Sequence, residues 1–199
     1  MTFVIKNLPI LIVITPLMFS LIVAVLTNNR LAWALSTSAS FITMIFSILL
    51  CFEVSNNSNI SYYLGNWPPP LGIEYVIDKV SIIPIMIVSV IGFIVTLYAH
   101  SFFILEIDRN LVSKTYSLWL LTIAGLMGLI TTADAFNLFV FLEISSLSAV
   151  ALVALGSKMD RKALIAGYNY LILGAVGATF YVIGVGLLYG VTGTLNMSD

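Results

Sequence analysis

The chain has 199 residues, of which 60% are hydrophobic and only 9% are charged. Because soluble domains carry about a quarter charged residues, this composition excludes a soluble globular fold for most of the chain. The net charge of −1 offers no basic surface for nucleic acid, and one cysteine beside one histidine excludes an internal disulfide and a zinc site.

Six long apolar segments follow one another along the chain, with charged residues between them. Each is about as long as the ~20 helical residues that cross a bilayer, and none alternates like a barrel strand. Since backbone polar groups must be satisfied internally in lipid, all six are predicted to be helices of one transmembrane domain spanning residues 1–199. The predicted helices cover residues 8–27, 31–53, 80–103, 115–133, 135–156 and 163–191.

The positively charged residues predict how these helices are oriented. If the helices alternate in direction, six of the eight Lys and Arg residues share one side, and Lys6 and Lys79 share the other. The six are Arg30, Arg109, Lys114, Lys158, Arg161 and Lys162. Because Lys and Arg are in excess in cytoplasmic loops, both termini are predicted to lie outside.

The one long connection, residues 54–78, then lies on the outer side of the membrane. It holds two short β-prone runs on either side of the sequence GNWPPP, whose prolines can neither continue a helix nor donate to a ladder. The predicted fold is therefore an all-α integral membrane protein, a six-helix transmembrane bundle with a small extracytoplasmic β-hairpin loop.

Glu143 is the most informative residue, because it lies within the fifth apolar segment, FNLFVFLEISSLSAVALVALG. It is about 20 Å along the helix from the predicted cytoplasmic end. A carboxylate at that depth costs about 3 kcal/mol, so it is expected to face the bundle interior, helices four and six, rather than lipid. Ser146 lies one turn further on the same face and can hydrogen-bond to it or hold a water. Glu143 is interpreted either as a proton-relay residue or as a protonated glutamate that bridges two helices.

Other polar or small residues in the membrane segments have structural interpretations. Asp134 is expected to cap the fifth helix, and the spacing of Gly186 and Gly190 predicts close helix packing within the bundle. The sequence contains no phosphate-binding glycine loop, no nucleophile with a base and no metal-ligand cluster. No catalytic, cofactor-binding or metal site is expected, and the chain is not expected to be catalytic by itself.

Two stretches of sequence resemble a known family. The outer loop GNWPPPLGIEYVIDKVS and the segment from Asp134 to Asp199, which contains FLEISSLS and NYLILG, are similar to the D subunit of Mrp-type multisubunit cation/proton antiporters. The wider superfamily includes the antiporter-like membrane subunits of respiratory complex I. The resemblance covers the whole chain but only the N-terminal part of a typical member.

The resemblance implies roles for two residues. The glutamate of the family's FEISSLS-like motif lies on the proton path and corresponds to Glu143, whereas many members carry a lysine where this chain has Asn169. An asparagine cannot take up a proton. Asn169 is expected about 10 Å from Glu143 towards the cytoplasm, where it can hold a water between them.

The function implied by the resemblance is that of part of a proton-translocating subunit of a monovalent cation (Na+)/proton antiporter in the cell inner membrane. The expected partners are other membrane subunits, including a polypeptide that supplies the missing C-terminal helices. The alternatives are a proton-pumping membrane subunit of NADH-quinone oxidoreductase (complex I), or a truncated remnant with only a structural role.

Overall fold

The computed structural model describes residues 6–56, 59–155 and 162–198, without the side chains of residues 104–106. Within these ranges six helices are long and apolar enough to cross a membrane, which confirms the predicted number. They are α1 (Leu8–Val25), α2 (Asn29–Asn56), α3 (Ile82–Glu106), α4 (Val112–Thr131), α5 (Ala135–Leu155) and α6 (Lys162–Thr192). Two strands, β1 (Ile60–Tyr63) and β2 (Glu74–Ile77), lie between α2 and α3.

Several helix ends differ from their predicted positions because polar residues cap or continue them. The Asn28 side chain accepts a hydrogen bond from the Arg30 amide at 3.0 Å, so α2 begins at Asn29 rather than at residue 31. At its other end α2 continues to Asn56, three residues beyond the predicted end at residue 53. Charge and polarity mark where a span leaves lipid, but they do not stop a helix.

Helices α1 to α4 form the well-packed part of the molecule, built around two apolar clusters at opposite ends. One cluster contains Leu8, Ile12 and Leu50 with Tyr75 and Ile77 of β2. The other contains Val23, Ala32 and Tyr116. Between the clusters, Ser40 of α2 hydrogen-bonds to Thr96 of α3 at 3.1 Å, and Trp119 of α4 donates to Thr96 at 2.9 Å. Such interhelical hydrogen bonds supplement van der Waals packing where lipid provides no hydrophobic drive.

The two strands form the predicted hairpin. They pair antiparallel from Ile60 opposite Ile77 to Tyr63 opposite Glu74, and the turn uses left-handed backbone at Gly65 (φ 64°) and Asn66 (φ 62°). The Tyr62 hydroxyl hydrogen-bonds to Asn7 at 3.0 Å, so the hairpin lies at the end of the bundle where α1 begins. The predicted element is confirmed.

The hairpin is the first part of a longer backbone ladder, which we call the end ladder (residues 74–75, 132–135 and 195–197). The Ala133 amide donates to the Glu74 carbonyl at 2.9 Å, and the Met197 amide donates to the Ala133 carbonyl at 2.8 Å. The Ala135 amide donates to the Leu195 carbonyl at 2.8 Å. The end ladder therefore joins β2, the α4–α5 junction and the segment after α6, an arrangement that the sequence did not predict.

Helix α6 lies at the periphery of the described structure. Only 11% of the residues in its most apolar stretch are buried, against 50% in α4. Apart from the adjacent backbone of α6 itself, no described atom lies within 4 Å of the position that a Cβ would take at Gly174, Gly177, Gly184, Gly186 or Gly190. The predicted close packing at Gly186 and Gly190 is therefore wrong for the described part of the chain, because no helix of that part faces them.

Candidate functional site

Glu143 lies in the middle of α5. By the helical rise per residue, its Cα is about 12 Å from the first residue of the helix and about 18 Å from the last. The surrounding turns carry apolar residues and serines, and Glu143 is the only ionisable residue of α5. A charged group so far from either end of a membrane-spanning helix needs a polar surrounding or an access path for water.

The Glu143 side chain is half-buried and opens into a small crevice between α5 and α6. The crevice has a volume of about 20 Å³, room for about one water. On the α6 side it is lined by Tyr170, Leu171, Gly174 and Ala175. Gly174 contributes no side chain to this wall.

Ser146 lines the same crevice, but its hydroxyl is engaged with the main chain. It donates to the backbone carbonyl of Glu143 at 3.2 Å and does not bond to the carboxyl, which was one of the two expected roles. The other, holding a water, stays a prediction. A serine in mid-helix commonly bonds back to a carbonyl of the preceding turn, because that acceptor is always in reach. Among the described residues, no side chain hydrogen-bonds to the Glu143 carboxyl or forms an ion pair with it.

Asn169 does not line the crevice. It is exposed on α6, and the neighbouring Tyr170 occupies the crevice wall instead. At about 100° per residue, Tyr170, Leu171, Gly174 and Ala175 share one side of α6, and Asn169 lies outside that side. A water held between Asn169 and Glu143 stays a prediction.

The face of α5 that meets α4 is a different one. A Cβ at Gly125 would be 2.7 Å from the Ser145 amide nitrogen, and a Cβ at Gly128 would overlap the Phe141 ring. Thr122 and Ser148 hydrogen-bond across the same interface at 2.8 Å. The sequence had suggested that Glu143 faces both α4 and α6. In the structure it lines the crevice with α6 and lies off the face of α5 that meets α4. The sequence feature that indicates this contact is the pair Gly125 and Gly128, three residues apart on α4, which the sequence analysis did not single out.

Two further carboxylates are buried at the end ladder. Asp134 is 8% exposed and accepts the Asn137 amide at 2.6 Å, which is the expected cap of α5. Glu74 is also 8% exposed and accepts a hydrogen bond from the Asn196 side chain at 2.8 Å. Burial raises the pKa of the neighbouring Tyr75 phenol, opposed by a hydrogen bond with Asn137. Glu74 and Asn196 are 122 residues apart, and no sequence pattern predicted that they would meet.

Comparisons with known proteins agree on one superfamily. Residues 132–199 match the family described as NADH:quinone oxidoreductase/Mrp antiporter, transmembrane region. The chain is 40% identical over 201 residues to "NADH-quinone oxidoreductase subunit N" of Desulforudis audaxviator, an alignment that covers 97% of this chain. It is 35% identical over 195 residues, also 97% of the chain, to "Putative antiporter subunit mnhD2" of Staphylococcus epidermidis.

The fold has a close counterpart among solved structures. A chain of the membrane-bound sulfane sulfur reductase, an archaeal respiratory membrane complex, superimposes with a TM-score of 0.86 at 32% identity. The superposition covers 96% of this chain and 39% of that one. The present chain likewise spans 38% of the length of both curated relatives. The resemblance predicted from the sequence is confirmed, and the chain is a multi-pass membrane protein.

Proposed function

We propose that this chain forms part of a proton-translocating subunit of a multisubunit monovalent cation (Na+)/proton antiporter, and that Glu143 lies on its proton path. The observation that carries the proposal is a carboxyl in the middle of a membrane-spanning helix, half-buried beside a crevice of about 20 Å³. A carboxyl there costs about 3 kcal/mol when charged and is rarely retained without a role in moving ions or protons.

The chain works with other membrane subunits, and further membrane helices pack against α6. Two observations support this part of the proposal. The chain spans 38% of the length of its curated relatives. A Cβ added at any α6 glycine from Gly174 to Gly190 would have no neighbour within 4 Å among the described residues, apart from the adjacent backbone of its own helix. A companion helix on that side closes the crevice and shields the Glu143 carboxyl from lipid.

Proton-pumping NADH-quinone oxidoreductase is the second candidate assembly. It is favoured by the 40% identity to the subunit N relative, which exceeds the 35% identity to the antiporter relative. In that assembly Glu143 carries protons in response to quinone reduction in another subunit. A purely structural role for the chain is the third candidate, and it requires no titratable group at residue 143.

Everted membrane vesicles from cells that carry the complete assembly distinguish these candidates. An antiporter releases accumulated protons when NaCl is added to vesicles energised by lactate, and cells without the chain lose this response. A complex I-like assembly instead acidifies the vesicles when NADH is added, and that response is sensitive to a quinone-site inhibitor. If the chain has only a dispensable structural role, cells without it keep both responses. That result contradicts the proposal.

The hairpin and both termini lie on the outer side of the cell membrane, and the end that carries Arg30, Arg109 and Lys114 lies in the cytoplasm. The supporting observation is the six-to-two distribution of Lys and Arg between the two sets of loops. In a Cys51→Ser background, a membrane-impermeant maleimide applied to intact cells should label Ser198→Cys and should leave Lys114→Cys unlabelled until the cells are opened. Labelling of Lys114→Cys in intact cells contradicts this orientation.

A further inference from the structure

A crevice rich in basic residues lies at the end of the bundle opposite the hairpin. It consists of two adjoining cavities of about 380 Å³ and about 320 Å³, which share Asn29 and Arg109 in their walls. Each cavity has a volume in the lower part of the size range of small-molecule sites. We call the two together the basic crevice, and its polar residues are Thr27, Asn29, Arg30, Arg109, Asn110, Ser113 and Lys114.

The walls of the basic crevice are held in place by hydrogen bonds between distant segments. The Asn29 side-chain amide donates to the Arg109 carbonyl at 2.9 Å, which fixes the α3–α4 connection against the start of α2. The Ser113 hydroxyl donates to the Val23 carbonyl, which fixes the start of α4 against the end of α1. The backbone framework of the crevice is therefore held by the fold, and the exposed side chains of Arg30, Arg109 and Lys114 project from it.

The charge at the crevice favours an anion. Arg30, Arg109 and Lys114 all line it, and none of the described residues in its walls is acidic. Asp108 precedes Arg109 in the chain but is not among these lining residues. Arginine and lysine donate charge-assisted hydrogen bonds to phosphate oxygens, and Arg can do so with two parallel bonds.

An apolar surface adjoins the crevice on the side towards the centre of the membrane. Leu21, Ile22 and Val25 of α1 are 58%, 52% and 83% exposed. Leu21 and Ile22 lie about 5 Å deeper than Val25, which is itself in the wall of the crevice. A free phosphate ion gains nothing from this surface, whereas the acyl chains of a lipid lie along it.

From these features we infer that the basic crevice binds the phosphate headgroup of an anionic phospholipid, for which phosphatidylglycerol serves as the probe. Arg109 and Lys114 hold the phosphate, and Arg30 adds to the positive potential. The acyl chains lie against Leu21 and Ile22. Basic pockets between membrane helices recognise anionic headgroups in this way. The inference does not depend on the proposed transport activity.

Photo-crosslinking in vesicles tests the site directly. The complete assembly is reconstituted in phosphatidylcholine vesicles with a trace of phosphatidylglycerol that carries a photoactivatable group on one acyl chain. Mass spectrometry should find the crosslink on residues 17–26, the last turns of α1 and the residue that follows it. Each basic residue near the surface contributes enough to change anionic-lipid occupancy about fivefold, so Lys114→Gln and Arg109→Gln should each reduce the crosslink about fivefold.

Lys79→Gln is the matched control, because it removes the same charge from an exposed lysine at the hairpin end of the bundle. It should leave the crosslink on α1 unchanged. If Arg109→Gln reduces the amount of folded protein, the exposed Lys114 provides the test alone. Excess unlabelled phosphatidylglycerol should compete with the probe, and phosphatidylcholine should not.

Three results overturn the inference. They are crosslinking to residues 17–26 that Lys114→Gln does not alter, equal competition by phosphatidylcholine, and equal competition by inorganic phosphate. The last result assigns the crevice to a free anion rather than to a lipid.

Discussion

Glu143→Gln should abolish proton-coupled cation exchange while the assembly remains intact. Glutamine has nearly the shape of a protonated glutamate and can still donate and accept hydrogen bonds, but it cannot release a proton. The crevice beside residue 143 therefore accommodates the change without rearrangement of Tyr170 or Leu171. We expect exchange at the level of vesicles that lack the assembly, with normal abundance of the companion subunits, measured by pH-sensitive fluorescence and blotting of the same vesicles.

Controls for this change separate loss of the proton from loss of structure. Glu53→Gln makes the same substitution near the hairpin end of α2 and should leave exchange near the wild-type rate. If Glu143 merely bridges helices, Gln should support full exchange, and Ala should lower the abundance of the assembly. Full exchange in the Gln variant therefore contradicts the role of Glu143 as a proton carrier.

Gly125→Ala should strongly destabilise the contact between α4 and α5. The added methyl group would be 2.7 Å from the Ser145 amide nitrogen and 2.9 Å from its Cα, and a helix backbone cannot move aside as a flexible side chain does. Forcing a methyl group into such a contact costs about 1–3 kcal/mol. We expect the free energy of unfolding in mixed micelles to fall by that amount, measured by denaturant titration followed by tryptophan fluorescence.

Gly177→Ala is the matched control for this change. It is the same substitution within a helix, but nothing lies within 4 Å of the added methyl group. The chain should be as stable as the wild type or up to about 1 kcal/mol more stable, because Ala favours a helix over Gly. Equal losses in the two variants contradict the assignment of Gly125 as the close-contact position.

Gly125 and Gly177 also explain how far sequence reasoning can reach for this chain. The six spans follow from apolar length, and the hairpin follows from prolines between β-prone runs, because both signals are local. Glycine spacing shows that a helix can be approached closely but not which helix approaches it. The spacing at Gly186 and Gly190 was prominent in the sequence and has no neighbour in the described structure, whereas Gly125 and Gly128 were not singled out and contact α5.

The site was predictable to a similar extent. The depth of Glu143 follows from counting residues along its helix. Its direction does not, because α5 is apolar on all sides and its charge pattern favours no face. Which neighbour each turn of α5 meets is decided by the close contact at Gly125 and by the end ladder, and both depend on residues far apart in the chain.

The end ladder has a mechanical consequence for α5. Backbone hydrogen bonds at Ala133 and Ala135 tie the start of this helix to residues 195 and 197, which follow α6. When a rigid helix anchored at one end tilts, each residue is displaced in proportion to its distance from the anchored end. Leu155 is about 30 Å from Ala135 and Glu143 is about 12 Å away, so a tilt that shifts Leu155 by about 2.5 Å moves Glu143 by about 1 Å. A displacement of about 1 Å at Glu143 is comparable to the change in donor–acceptor distance that breaks a hydrogen bond.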